Sequence, residues 1–308
     1  VTFINTYLGE LLAAMALVVF SANVILTKIA SARLSLDTGF PISVSVNVLF
    51  CLMLVGVELW ARKEGPHWNT YGFCIFLVSG VFSTWLGRWF FFEAIVRFGP
   101  EKASVFQVSS PVFAVMIAWV ALGERLTVTA MGGMVLALSG LMLVVYVPGI
   151  FRMPSRMPWA TSFMRSSVCL GLGSSFAYAI GNVLRTSAIR SWNEPIIGAL
   201  LGAAAGLALH VVLSTNTSNF LGSIRAADRK GIALYMISGV LTISAQICAI
   251  ASLHFIPVGL SSLITLCSPV LVFPFSYWVF KNSEAITFRI VTGSIFVLTG
   301  IAIVVIAR

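Results

Sequence analysis

Charged side chains are too scarce in this chain for a water-soluble protein of its length. Ten acidic and nineteen basic residues make up 9% of 308 positions, against roughly 25% in soluble domains. Such a chain cannot cover a water-facing surface with polar groups, so lipid is the solvent that its composition implies. Histidine is nearly missing: His67, His210 and His254 are dispersed along the chain, which excludes a histidine-rich metal site. The five cysteines, Cys51, Cys74, Cys169, Cys248 and Cys267, fall in apolar stretches with no CxxC spacing. They read as small, buried, reduced thiols. There is no P-loop, no GxSxG, no HExxH and no intramembrane carboxylate pair beyond what ion pairing explains, so no catalytic reading survives and no cofactor is implied. The net charge of +9 does not indicate nucleic acid. No basic run with interleaved aromatics lies in a polar segment, and most Lys and Arg residues sit at helix ends or in loops, where they orient a membrane protein.

What is abundant is apolar sequence: 59% of residues and a mean hydropathy of +1.00. A bilayer core about 30 Å thick needs about 20 apolar residues per helix. Hydropathy and chain breakers mark spans at 7–31, 38–60, 70–97, 102–122, 126–147, 167–190, 194–214, 231–254, 258–280 and 286–307. Arg62 to Pro66 separates the second from the third, and Gly99-Pro100 the third from the fourth. Residues 148–166, with Pro148, Pro154 and Pro158, form the longest linker. Ala30-Ser31-Ala32 mimics a signal-peptidase site, but no basic region precedes it and the apolar stretch is too long. Residues 7–31 are therefore expected to be a retained helix. Eleven Lys and Arg residues fall on the side of the 148–166 linker and five on the side of the termini. The positive-inside rule then places both termini outside the cytoplasm.

The chain repeats itself about the linker. Ser110-Pro111-Val112 recurs as Ser268-Pro269-Val270, 158 residues later. Glu124, Thr127, Gly133 and Gly140 recur as Glu284, Thr287, Gly293 and Gly300, at 160. Asn23-Val24 recurs as Asn182-Val183, at 159, and Ala94, Phe98 and Pro100 as Ala251, Phe255 and Pro257, at 157. Four matches in one order at nearly one offset define repeats at 1–147 and 167–308. Five helices per repeat is an odd number, so the second enters the membrane from the opposite side. The expected fold is an all-α membrane protein of ten transmembrane helices in two inverted five-helix repeats, an architecture from which many secondary transporters are built.

These blocks resemble the EamA-type drug/metabolite transporter superfamily. Phe20-Ser21-Ala22-Asn23-Val24 is similar to its first-helix signature. The run from Ala94 through Ser110-Pro111-Val112 to Leu122-Gly123-Glu124-Arg125-Leu126-Thr127 resembles its fourth-helix block. The second repeat matches more loosely, with Lys281-Asn282-Ser283-Glu284 in place of Leu-Gly-Glu. The resemblance is to the ten-helix exporter type, similar to aromatic amino acid exporters. It implies a central cavity lined by helices 1, 3, 4, 6, 8 and 9, residence in a bacterial inner (plasma) membrane, and termini in the cytoplasm, opposite to the charge count. The first-helix Glu of small four-helix multidrug relatives has no counterpart, since Glu10 lies 13 residues before Asn23. Proton coupling is left open.

Arg88 is the deepest charge, 18 residues into a 28-residue apolar segment. A charge near the bilayer centre costs about 2.5–3.5 kcal/mol on insertion scales and faces a cavity or a partner. Trp85, Arg88 and Phe92 share a face at α-helical spacing, while Gly80, Thr84 and Gly87 form a small-residue stripe on another face. Glu93 is placed to pair with Arg97, with a proton-coupling role as the alternative. Asn23 and Thr27 share a face of helix one. Tyr178, Asn182 and Arg185 share one on helix six, and the repeat relates Asn23 to Asn182. Pro111 and Pro269 are expected to kink helices four and nine as hinges, presenting Gln107, Ser110, Thr265 and Ser268 beside the cavity. Gln246 on helix eight completes the candidate lining. Gly198, Gly202, Gly206 and His210 recur every fourth residue as a packing face.

The function expected from these features is a secondary transporter or facilitator that exports a small organic solute by alternating access. An amino acid or a related anionic or zwitterionic metabolite suits an Arg with flanking aromatics. The alternatives are a flippase for a lipid or lipid-linked phosphate, and a non-transporting membrane scaffold. Membrane lipid is the other expected partner, and oligomeric state is not readable.

Overall fold

In the computed structural model the described residues are 7–62, 65, 68–91, 94, 106–144, 167–213, 227–268, 270–271 and 288–307. Every regular element among them is helical: α1 (Leu8–Ser31), α2 (Leu36–Arg62), α3 (Thr70–Gly80), α4 (Ser110–Leu122), α5 (Val128–Val144), α6 (Ser167–Ser191), α7 (Pro195–Leu213), α8 (Arg229–Phe255), α9 (Val258–Thr265) and α10 (Phe288–Ile306). A π-helical segment, Val81–Gly87, continues α3. Leu8–Ser31, Thr38–Arg62, Thr70–Phe91, Pro195–Leu213 and Arg229–Phe255 are long and apolar enough to cross a bilayer. The apolar helices Ser110–Leu122, Val128–Leu143 and Val291–Ile306 are shorter, and α6 carries serines, Asn182, Arg185 and Arg190 that lower its hydropathy. The linker 148–166, Glu284 and Thr287 lie outside the described residues.

Polarity is distributed inside out. Ser21, Ser79, Ser174 and Ser175 are fully buried, as are Ala13, Ala16, Ala114 and Ala137, whereas Leu49, Met53, Val57, Val120 and Val212 are exposed. Small residues inside let helix backbones approach, and large apolar residues outside match lipid. Cys74 also lies on this outer surface, which corrects the expectation that all five thiols are buried. Composition showed that it sits in an apolar helix but not on which side.

The chain forms two compact units, residues 1–85 with 184–256, and residues 86–183 with 257–308. Each draws on both sequence repeats. In the first unit α2 and α8 run side by side in one direction: Gly231 meets Arg33 and Leu34, Gly39 meets the Tyr235 ring, and Gly239 meets the Ser43 carbonyl. The Asn47 amide, turned with its nitrogen toward that contact, donates to the carbonyls of Gly239 and Ser43, 2.8 Å each. Pairs α3 and α7 repeat the pattern: Gly72 meets Trp192, Gly198 meets Phe76, and Gly80 meets the Gly202 backbone. Positions 72, 76 and 80 lie 159 residues before 231, 235 and 239, and positions 33, 39 and 43 lie 159 before 192, 198 and 202. Even the N-caps correspond. The Asn69 side chain accepts from Gly72 N, and that of Asp228, 159 positions on, accepts from Lys230 N. The Lys230 N–H, aided by Arg33 at 3.3 Å, holds the exposed Asp228 carboxyl below the usual carboxylate range.

The equivalent helices α2 and α7 point in opposite directions. Arg62 at the end of α2 donates to Glu194 just before α7 at 2.6 Å, and Arg62 also pairs with Glu58. At the other end, Phe40 near the start of α2 meets His210 near the end of α7, with ring centroids 5.0 Å apart. In the second unit α5 and α10 cross antiparallel. The position of a Cβ on Gly133 lies 2.8 Å from the Gly300 carbonyl, and that on Gly140 lies 2.5 Å from the Gly293 carbonyl.

Two details set α4 and α9. Gly123 ends α4 in the left-handed region at φ 66°, where glycine carries no Cβ penalty. The neighbouring Glu124 carboxylate accepts from the Val258 N–H at 3.1 Å, at the start of α9. A carboxylate at a helix N-terminus stabilises by roughly 0.3–1 kcal/mol. Glu124→Ala is accordingly expected to lower the thermal midpoint of the detergent-purified protein by a few degrees, and Glu124→Gln by less. Equal midpoints for all three proteins would remove this role.

Candidate functional site

Around Arg88 the backbone departs from the expected α-helix. Between Val81 and Gly87 the helix is π-helical, with bonds reaching five residues back instead of four, a form frequently found at functional sites. Each wide turn shifts the register, so the three-residue spacing of Trp85 and Arg88 does not place them on one face as α geometry would. Phe92 lies outside the described residues, as do Glu93 and Arg97. Arg88 itself is half-buried immediately after the segment, and Trp89 stacks on Phe90 at 5.6 Å. Ser83 donates to the Ser79 carbonyl and Ser79 to that of Phe76, each at 2.7 Å. The Thr84 hydroxyl is buried with no hydrogen-bond partner among the described residues.

In the second unit, Gln107 reaches the backbone beside Arg88 through an intermediary. Its Nε2 donates to the Ser174 hydroxyl at 2.7 Å, and that hydroxyl donates to the Gly87 carbonyl at 2.8 Å. Ser175 donates to the Phe106 carbonyl at 2.6 Å. Sequence reading singled out Gln107 but neither serine. Their adjacency in an apolar helix is the only signal, and it does not say which carbonyl they meet. Tyr178 and Asn182 are half-buried on α6, and Asn182 Nδ2 lies 3.4 Å from the hydroxyl of Ser262 on α9.

Pro111 does not kink a continuous helix. It stands in the first turn of α4, where its missing N–H has no intrahelical partner to lose. Residues 106–107 are helical, residues 108–109 form a turn, and Ser110 is buried at the start of α4. The same punctuation recurs in α9, which ends at Thr265 before a turn at 266–267 and a helical Ser268. Pro269 is outside the described residues. Ser268 donates to the Thr265 carbonyl at 3.0 Å, and Thr265 donates to Ser261 and Ser262 carbonyls of its own helix. Both hydroxyls have spent their protons locally, which leaves them acceptors for anything else.

In the first unit, Ser238 of α8 joins two candidates. Its hydroxyl donates to Asn23 Oδ1 at 2.7 Å and lies 3.1 Å from the Thr27 hydroxyl. Asn23 belongs to this unit and Asn182 to the other, and each has its own serine on a neighbouring helix. Arg185 is buried despite its charge, Gln246 is 7% exposed, and Gln246 Nε2 has no hydrogen-bond partner among the described residues. Both approach Gly202, with Arg185 Nη2 at 3.8 Å and Gln246 Nε2 at 4.0 Å from the position a Cβ there would take.

Residues 7–146 match the model of the EamA-like transporter family. The sequence has no match among the curated proteins. A solved structure described only as the crystal structure of a protein superposes with a TM-score of 0.71, over 98% of this chain and 99% of its own, at 14% identity. That likeness is one of fold and extends over both sequence repeats.

Proposed function

We propose that this integral membrane protein, whose residues 7–146 match the model of the EamA-like transporter family, is a secondary transporter that exports a small organic anion or zwitterion, such as an amino acid. It works by alternating access in a bacterial plasma membrane, with the two sequence repeats as oppositely inserted halves. The observation that carries this reading is the exchange of contacts. Exchanging the halves turns Gly80 on Gly202 into Gly239 on Ser43, and Gly133 on Gly300 into Gly293 on Gly140. Reciprocal contacts of this kind are what a twofold axis produces. The antiparallel course of α2 and α7 supports placing that axis in the membrane plane. Arg88 and Arg185, both in helices embedded among apolar residues, favour an anionic group on the solute, because guanidinium forks match carboxylates.

Purified protein in liposomes provides the test. Vesicles loaded with a mixture of amino acids and small organic acids are expected to show saturable, protein-dependent counterflow of at least one of them, with neutral analogues excluded. Flux indistinguishable from protein-free vesicles across the whole panel would refute the proposal.

A further inference from the structure

At several of the tight helix contacts glycine is required because backbone fills the space beside it. The position of a Cβ at Gly80, Gly140 and Gly300 lies 2.5 Å from a backbone oxygen of the facing helix, and at Gly239 it lies 2.7 Å away. Gly202 differs. The nearest atoms to its Cβ position are Gly80 Cα at 3.7 Å, Arg185 Nη2 at 3.8 Å and Gln246 Nε2 at 4.0 Å. A side chain would fit there in ordinary contact, and its absence leaves room bordered by two nitrogen donors. Gln246 is 7% exposed, and its Nε2 makes no hydrogen bond among the described residues. A buried amide donor is costly to leave unsatisfied, so this nitrogen is placed to donate to an acceptor that a ligand brings. All these groups lie within the first unit.

We infer that Arg185, Gln246 and the vacant side-chain position of Gly202 form a niche for a carboxylate. One carboxylate oxygen accepts from the Arg185 guanidinium and the other from the Gln246 amide, and Gly202 supplies the space. The inference rests on the transporter reading for its physiological meaning, since the carboxylate would be that of the solute. The other glycines of the α7 stripe do not share this geometry: Gly198 meets the Phe76 ring at 2.5 Å, and Gly206 meets Thr84 at 2.5 Å.

Gly202→Ala provides the decisive variant. A methyl group there fills the niche without a clash, and alanine favours a helix over glycine, so the fold should be as stable as the native one or more so. The probe is sodium acetate, compared with equal concentrations of acetamide and sodium chloride, during thermal unfolding of the purified full-length protein in detergent. Acetate is expected to raise the native midpoint by a few degrees through binding linkage, with no rise from acetamide. Gly202→Ala and Gln246→Leu should lose that rise, and Gly202→Ala should keep or exceed the native midpoint in chloride. Three results would overturn the niche: no acetate effect on native protein, as a buried water satisfying Gln246 would give; a full effect in Gly202→Ala; or a clearly lowered midpoint of Gly202→Ala, which marks the glycine as a packing residue. Because the measurement reads binding alone, its failure with liposome flux intact removes only the niche. A retained acetate effect with no flux removes only the transporter reading.

Discussion

Gly80→Ala is expected to yield little folded protein, whereas Gly202→Ala, on the other side of the same contact, folds normally. The asymmetry comes from what each new methyl group would meet. At Gly80 it would lie 2.5 Å from the Gly202 carbonyl oxygen and 2.6 Å from its Cα, atoms that move only if the two helices part. Parting them also loosens the seats of Phe76 on Gly198 and Thr84 on Gly206 along the same line. Overpacking a tight contact costs roughly 1–3 kcal/mol, occasionally more, and here the clash is with backbone. Gly239→Ala should behave alike, because its methyl group would lie 2.7 Å from the Ser43 carbonyl in the corresponding contact of α2 and α8. Size-exclusion profiles and thermal midpoints of the three variants decide it. A Gly80→Ala protein with native yield and midpoint would show that α3 and α7 are not in backbone contact.

Arg88→Ala is expected to cut transport at low solute by at least about tenfold while leaving a folded, membrane-inserted protein. The residue follows the π-helical segment and is half-buried in an otherwise apolar stretch. A charge retained at such a depth costs about 2.5–3.5 kcal/mol against insertion, so removing it should not impair insertion. What is lost is a guanidinium that can bind an anionic group with charge-assisted hydrogen bonds worth about 1.5–3 kcal/mol, which corresponds to a drop of about tenfold to more than a hundredfold in flux at low solute. Arg88→Lys keeps the charge but not the planar fork and should recover part of the activity. Counterflow in liposomes, with size-exclusion as the check on folding, measures both. Native flux in Arg88→Ala would remove Arg88 from the transport site, and a variant that cannot be recovered folded would assign it a purely structural role.

How much of this molecule is legible along the chain depends on the range of the physics involved. The limits of α1, α7 and α8 follow from hydropathy, breakers and N-caps, all settled within a turn or two. Leu8–Ser31, Pro195–Leu213 and Arg229–Phe255 accordingly fall close to the expected 7–31, 194–214 and 231–254. The π-helical segment was not legible, because Val81–Gly87 contains nothing that an ordinary α-helix would reject. Pro111 suggests a kink along the chain because proline disrupts a helix interior; whether it stands in an interior or in a first turn depends on how the preceding residues pack.

Composition, the two-part repeat and the placement of Arg88 in an apolar run were determined by the sequence alone, since the solvent that a helix needs and the order of its residues are properties of the chain itself. The tertiary structure decided which partner each polar group meets: Ser238 for Asn23, Ser174 for Gln107, Glu124 for the start of α9. It also decided that Gly80 abuts backbone while Gly202 leaves room beside Arg185 and Gln246. A serine in a helix can bond its own carbonyl or one across an interface, and a glycine stripe can be packed shut or left open. The choice follows from the rotation and separation of two helices distant in sequence, which no local pattern encodes.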